Sequence, residues 1–161
     1  MASTKFYLVL DQGGHATRAM VFDREGTVQS QHTVPVATYE PAPLHVEHPA
    51  QDVLASVHQA IAGAVKALPA PLTAKNIIAA GLATQRSSIV CWSRRTMTAL
   101  TPIISWQDRR AHEWMAQWQP QLNRVREITG LVPSAHYGAS KIRWCLDHRD
   151  AVARKRLQHD L

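Results

Sequence analysis

The sequence predicts an α/β domain in which a short antiparallel meander is followed by a helix that crosses to a further strand. Three observations lead there. A continuous apolar run, Phe6 to Leu10, has the pattern of a buried strand, and turn signals at Asp11-Gln12-Gly13-Gly14 and Asp23-Arg24-Glu25-Gly26 join it to two more. Apolar residues then repeat at helical spacing between prolines. A second apolar run, Ile77 to Ala83, comes after them.

The first strand is expected over Lys5–Leu10, the second over Arg18–Phe22 and the third from Thr27 to about Val36. Thr38 to Pro49, with Pro41, Pro43 and Pro49, reads as a loop. Pro49 suits a first helical position, where its missing N–H costs nothing. Val53, Leu54, Val57, Ile61, Val65 and Leu68 form the buried face of that helix, and Pro69 and Pro71 end it. Ile77–Ala83 is expected as a buried strand. Ser88–Trp92 follows as another, turned by Arg94-Arg95-Thr96-Met97, and Pro102–Trp106 as a short third. Ala111, Trp114, Met115 and Trp118 share one helical face. Ile142, Cys145 and Leu146 share another in a helix over Ser140–His148. No repeat, low-complexity block or flexible linker interrupts the chain, so residues 1–161 are read as one domain. Antiparallel strands, then a helix crossing to a further strand, is the order of a ribonuclease H-like domain.

The composition narrows the function. With 161 residues, 45 % of them apolar, the chain can build a core. Cys91 and Cys145 make no disulfide framework and carry no metal-ligand spacing, which fits two small core residues in a reducing compartment. No stretch approaches the roughly 20 apolar residues of a membrane span, and the Phe6–Leu10 run is too short for a signal peptide. A cytoplasmic protein is expected. Residues 1–80 carry five Lys/Arg against six Asp/Glu, and residues 81–161 thirteen against six. A half that basic could face nucleic acid, but its charges are pairs such as Arg94–Arg95 separated by apolar residues. A solvated basic surface is the preferred reading, with a nucleic-acid-binding domain as an alternative.

Four constellations could carry chemistry. In Asp11-Gln12-Gly13-Gly14-His15 with Arg18, a carboxylate at a strand end can hold Mg²⁺ through water, glycines admit phosphate to the backbone, and Arg18 can reach the same phosphates. An ordinary hairpin turn has the same pattern. Thr84-Gln85-Arg86-Ser87-Ser88 can present donors to a hydroxylated ligand, or be a polar surface turn. In Ile104-Ser105-Trp106-Gln107-Asp108-Arg109-Arg110, Trp106 can pack on the C–H face of a polyol. Alternatively, Trp106 is core and Asp108 caps the next helix. In Thr129-Gly130-Leu131-Val132-Pro133 and Tyr137-Gly138-Ala139-Ser140-Lys141, the Gly and Pro residues break one helix and start another, and the Tyr137 hydroxyl can meet a ligand. His45-Val46-Glu47-His48 has the look of a metal motif. It lies in a Pro-rich loop with no helix to aim the imidazoles, and is discounted.

Together, in this order and spacing, the four constellations resemble the FGGY carbohydrate kinase family, and within it the glycerol kinases. The matching stretches are Asp11–Asp23, Val46–Asp52, Gly81–Arg110 and Ile128–His148. The resemblance implies one ribonuclease H-like lobe of an actin- and hexokinase-type pair, with ATP and substrate held in the cleft. It implies Asp11 as the Mg²⁺-associated carboxylate, and Gly13, Gly14 and Arg18 at the ATP phosphates. Arg86, Ser87, Trp106 and Tyr137 would line the polyol or sugar pocket. Implied partners are a nucleotide, a small polyol or sugar, and a C-terminal lobe that this chain lacks. A homo-oligomer is open, and no membrane partner is expected.

Three departures qualify the likeness. Gly14-His15 stands where the family usually has Thr-Thr or Thr-Ser, which removes hydroxyls near phosphate. Gln85-Arg86-Ser87 stands where glycerol kinases have Gln-Arg-Glu, which removes a carboxylate from the substrate side and puts glycerol in doubt. The chain ends at Leu161, whereas family members are much longer, so the general base is expected beyond Leu161 and no catalytic residue within the chain. The expected function is the N-terminal, truncated part of an ATP-dependent polyol or sugar kinase, inactive alone. A non-catalytic binding or interaction remnant is the alternative.

Overall fold

The computed structural model describes residues 5–161. They form two compact units, one of residues up to 37 together with 51–85, the other of residues 38–50 and 86–161. Among the described residues, no helix is long and apolar enough to cross a membrane.

The first unit is a four-stranded sheet in the order β3 (Val28–Pro35), β2 (Ala16–Phe22), β1 (Phe6–Gln12), β5 (Ile77–Thr84), with one helix against it. Strands β1, β2 and β3 form the expected meander, and β1 is central, antiparallel to β2 and parallel to β5. Alternation sends Phe6, Leu8 and Leu10 of β1, with Ala19 and Val21 of β2, to one face. There they meet Ala60, Ala64 and Leu68 of helix α1 (Ala50–Lys66) and the turn after it. Burying each larger aliphatic side chain stabilises the unit by about 1.5–3 kcal/mol.

The expected face of α1 needs one correction. Leu54 is exposed, and the most buried stripe is Val53, Ser56, Ala60 and Ala64. Small side chains let the helix lie close on the sheet, and their hydroxyls bridge the two layers: Thr17 and Ser56 share a 2.7 Å hydrogen bond, and Ser30 Oγ donates to the Ala64 carbonyl. Closeness also explains Gly63, where a Cβ would run into the His32 imidazole. A second correction concerns β5. It is the expected strand, but all of it after Ile77 is exposed, including Ile78 and Leu82. It is an edge strand, and nothing among the described residues pairs with its far side.

The second unit has little regular sheet. Strands β4 (Glu47–His48) and β6 (Ile103–Ile104) pair antiparallel, so part of the expected Thr38–Pro49 loop is strand. Ser88–Trp92 does not form a regular strand; it makes only isolated bridges, Ile89 with Ile104 and Trp92 with Ala99. Side-chain hydroxyls intercept the ladder: Thr101 Oγ1 takes the Cys91 N–H and Ser88 Oγ takes the Trp106 N–H. Helix α2 is short (His112–Ala116), because Pro120 tightens the chain into a 3-10 turn. Helix α3 (Leu122–Thr129) ends on Gly130 at φ +71°, the left-handed conformation that favours glycine. Helices α4 (Gly138–His148) and α5 (Asp150–Leu157) complete the unit. On α4 the buried residues are Ser140, Lys141 and Cys145, whereas Ile142 faces solvent. Cys91, Ile104, Cys145 and Val152 form its apolar core.

Candidate functional site

In the first unit, parallel strands β1 and β5 end side by side, with Gln12 in register with Thr84. Carboxyl ends of parallel strands are where α/β sheets present loops to ligands. Asp11 is exposed here, in register with Arg18 on β2, and among the described residues its carboxylate has no hydrogen-bond or ion-pair partner. Arg18 is also exposed, making one long contact from Nε to Thr33 Oγ1 at 3.4 Å. The Gly13 N–H closes the turn on the Ala16 carbonyl, and a Cβ at Gly13 would meet that same oxygen at 3.2 Å. Its own carbonyl is braced by two side-chain amides, Gln12 Nε2 at 2.8 Å and Gln85 Nε2 at 3.0 Å. Gln12 and Gln85 thus set the shape of the glycine turn, a role the sequence reading did not give them. An isolated exposed carboxylate fits Mg²⁺ held through water, since that ion keeps much of its hydration shell.

In the second unit, three segments converge on one buried cation. Lys141, on the first turn of α4, is fully buried. Its ammonium donates to the carbonyls of Ser87 (2.9 Å), Ser105 (2.7 Å) and His136 (2.8 Å). Burial lowers its pKa to about 8; Arg109 and Arg110 push the same way, against the pull of Asp108. Each acceptor adjoins a residue singled out from the sequence: Ser87 follows Arg86, Ser105 precedes Trp106, and His136 precedes Tyr137. The rings make a row, with Trp106 edge-on to His136 at 5.7 Å and His136 edge-on to Tyr137 at 5.2 Å. Trp106 is 40 % exposed, so it is not a core residue. The Arg86 guanidinium and the Tyr137 hydroxyl have no hydrogen-bond partner among the described residues, and Arg86 is exposed. Ser87 sits at φ +64°, a left-handed conformation that costs a serine about 1 kcal/mol or more. Tyr137 also borders an apolar cavity of about 230 Å³ formed with Trp114, Met115, Trp118, Leu131 and Pro133.

A second buried ionic group stiffens the Trp106 loop. Asp108 does not cap α2, whose N-cap is Ala111. It accepts instead from the Val46 N–H (2.6 Å), the Arg110 N–H (3.0 Å) and the Arg110 guanidinium (2.8 Å). Arg110 also reaches Glu47 at 2.7 Å, which commits the acidic member of the discounted His-Val-Glu-His run. Burial opposes the Arg110 charge, yet its bonds to Asp108 and Glu47 outweigh this and raise its pKa. Arg109 donates to the Trp106 carbonyl at 3.0 Å. Part of the excess positive charge of residues 81–161 is therefore spent on internal partners: Arg110, Lys141 and, through Asp160, Lys155.

The arrangement brings together the segments that carry the exposed Trp106 ring, the half-buried Tyr137 and the exposed Arg86, residue types suited to a small hydroxylated molecule. The site residues that the sequence reading missed are Lys141 and Ser88, together with Gln12 and Gln85. Lys141 stood in the Tyr137-Gly138-Ala139-Ser140-Lys141 motif, but a lysine gives no sign of burial until its partners are known.

The chain is similar to known proteins of one family. The model of the FGGY family of carbohydrate kinases, N-terminal domain, matches residues 6–158. A glycerol kinase of Methylibium petroleiphilum is 36 % identical over 149 residues, covering 89 % of this chain and 29 % of its own. A glycerol kinase of Paraburkholderia phymatum is 35 % identical over 98 % of this chain and 32 % of its own. The chain thus spans under a third of the length of these curated relatives. Among solved structures, Plasmodium falciparum glycerol kinase with ADP superposes with a TM-score of 0.90 at 20 % identity, over 98 % of this chain and 31 % of that one. Gluconate kinase from Lactobacillus acidophilus gives 0.82 at 17 %, over 93 % and 30 %. These two likenesses speak to fold, which is that of the N-terminal lobe of such kinases, actin- and hexokinase-like, as expected. With the sequence match running from Phe6 to Gln158, the chain belongs to the FGGY family of carbohydrate kinases, through its N-terminal domain.

Proposed function

We propose that this chain is the substrate-holding part of an ATP-dependent kinase that phosphorylates a hydroxyl of a small polyol or sugar. The observation that carries the reading is the convergence of the Arg86, Trp106 and Tyr137 segments on Lys141, with Trp106, His136 and Tyr137 in one aromatic row. Trp106 and Tyr137 pack on the C–H face of the ligand, and Arg86 and the Tyr137 hydroxyl bond its oxygens. Ser87 in place of a glutamate removes one acceptor for a ligand hydroxyl, which favours a substrate other than glycerol. At the strand-end turn, Gly13, Gly14 and Arg18 would face the nucleotide phosphates, and Asp11 is the residue that would hold Mg²⁺. The metal supplies charge neutralisation on phosphate oxygens. The chain's own part in the transfer is orientation, since phosphoryl transfer depends mostly on positioning and charge stabilisation.

The isolated chain is expected to bind but not turn over, because the resemblance assigns neither a general base nor most of the nucleotide surface to it. The exposed edge of β5, with Ile78 and Leu82, fits a sheet that packs against further polypeptide in the active form. A coupled assay of the pure chain with glycerol and common ketoses should show no sustained ATP-dependent turnover. Sustained turnover would refute the assignment of the base to a missing lobe. Absence of any polyol- or ketose-induced change in the Trp106 signal would refute the substrate site itself.

A further inference from the structure

We propose that Lys141 is the positioning residue of the polyol site: its ammonium fixes the three loops that carry Arg86, Trp106 and Tyr137 without itself touching the ligand. The inference rests on the reading of those side chains as the ligand wall.

The placement of Lys141 has no local explanation. A cation in the first turn of a helix opposes the macrodipole, and α4 places it there with no carboxylate bonded to it. An apolar side chain would avoid the desolvation of a buried ammonium altogether. What the charge supplies is three donors for three carbonyls, which uses the capacity of an ammonium completely. The acceptors lie 54, 36 and 5 residues away in sequence, so one group sets distances that no regular element sets. Ser87 holds its left-handed turn while its carbonyl is bonded to this ammonium. The neighbouring ties each join at most two of the segments: the Ile89–Ile104 backbone bridge and Ser88 Oγ tie those of Ser87 and Ser105, Arg109 Nη1 lies 3.5 Å from His136 Nδ1, and Ser140 Oγ reaches only the turn before its own helix.

Titration gives the clamp a signature. The charged groups around Lys141 are Asp108, Arg109 and Arg110, with the His136 ring beside one acceptor and Cys145 one turn along α4. Above about pH 8 the ammonium becomes an amine with two N–H groups for three carbonyls, so one segment is released. The sign for global stability is opposite. A lysine whose folded pKa lies below 10.5 binds fewer protons folded than unfolded, so its contribution to stability rises between about pH 8 and 10.5. Loosening of the three loops without loss of global stability would not come from a merely structural lysine.

The test uses the ¹⁵N-labelled chain and its Lys141→Met variant. Backbone amides of residues 86–88, 105–107 and 136–138 and the Trp106 indole N–H are followed from pH 6.5 to 9.5, with and without glycerol or a ketose. In the native chain the three segments should titrate together with one midpoint near pH 8, while amides of β1 and β5 stay fixed. Lys141→Met should shift all three segments, abolish that titration and weaken the polyol response about tenfold. Segments that titrate separately or not at all overturn the proposal. So does a folded variant whose Trp106 and Tyr137 segments and polyol response are unchanged. If the variant fails to fold, the native titration decides alone. A native chain with joint titration but no response to any polyol or ketose supports the clamp and overturns the substrate reading beneath it.

Discussion

The sheet unit buries Phe6, Leu8, Leu10, Ala19 and Val21 in strict alternation, and its buried polar groups are neutral hydroxyls: Thr17, Ser30 and Ser56. The other unit buries Asp108, Arg110, Lys141 and Asp160, and its apolar core is small. The first is held by a backbone ladder and aliphatic packing, which require little of any single residue. The second holds loops in place with a few ionic groups: Asp108, Lys141 and Asp160 are bonded to backbone far away in sequence, and Arg110 to the Asp108 and Glu47 carboxylates. Loops positioned this way can present exposed side chains such as Trp106 and Arg86, but each anchor is hard to replace.

The largest effect should come from removing an ionic anchor. Asp108→Ala leaves Arg110 buried with Glu47 as its sole acid and orphans the Val46 and Arg110 N–H groups, at a cost of about 3–5 kcal/mol. Leu8→Ala in the sheet should cost about 2–4 kcal/mol by cavity formation. The probe separates them, because all five tryptophans, Trp92 to Trp144, belong to the second unit. In urea, Asp108→Ala should lower the midpoint read by tryptophan fluorescence more than Leu8→Ala does. The reverse order would mean that packing, not the ionic anchor, limits the loop unit.

The same contrast decides what the sequence discloses. The continuous apolar run Phe6–Leu10 made β1 readable, and the turn signals at Asp11–Gly14 and Asp23–Gly26 made the β1-β2-β3 meander readable. The exposure of β5 was not readable, because an apolar strand looks the same whether or not a neighbour covers it. Helix α5 was missed because it buries only Val152, which leaves no apolar stripe to detect. In the candidate site, the residues proposed to face the ligand, such as Arg86 and Trp106, were singled out by motif. Their support was not: Lys141 and Asp108 act through backbone groups of distant segments, and backbone acceptors carry no residue identity.

Acid should reveal a third anchor. The Asp160 carboxylate accepts from Lys155 at 2.7 Å, the Arg95 N–H at 2.7 Å and Ser93 Oγ at 2.9 Å. These bonds, that of Lys155 foremost, hold its pKa at about 2 against an ordinary 3.8. A carboxylate depressed in the folded state contributes stability above its unfolded pKa and loses it as pH falls through the folded one. The loop unit should therefore lose stability between about pH 4 and 2. Asp160→Asn should be less stable than the native chain at pH 6, and the difference should shrink toward pH 2. A difference independent of pH would show that the bonds serve equally well without the charge.

The smallest effect should come from the same chemistry placed in water. Arg143 and Asp147 form an (i, i+4) pair on α4 at 2.7 Å, as short as the bond between Arg110 and Glu47. The side chains of Arg143 and Asp147 are 53 % and 35 % exposed, whereas those of Arg110 and Asp108 are fully buried. Exposed pairs gain little because water screens both charges and holding two long side chains costs entropy. Neither charge needs the other once the pair is broken, since both return to solvent. Arg143→Ala should change the fluorescence-monitored stability by no more than about 0.5 kcal/mol, with most of that change gone in 1 M salt. A loss approaching that of Asp108→Ala would mean that distance, rather than burial, decides the worth of an ion pair in this unit.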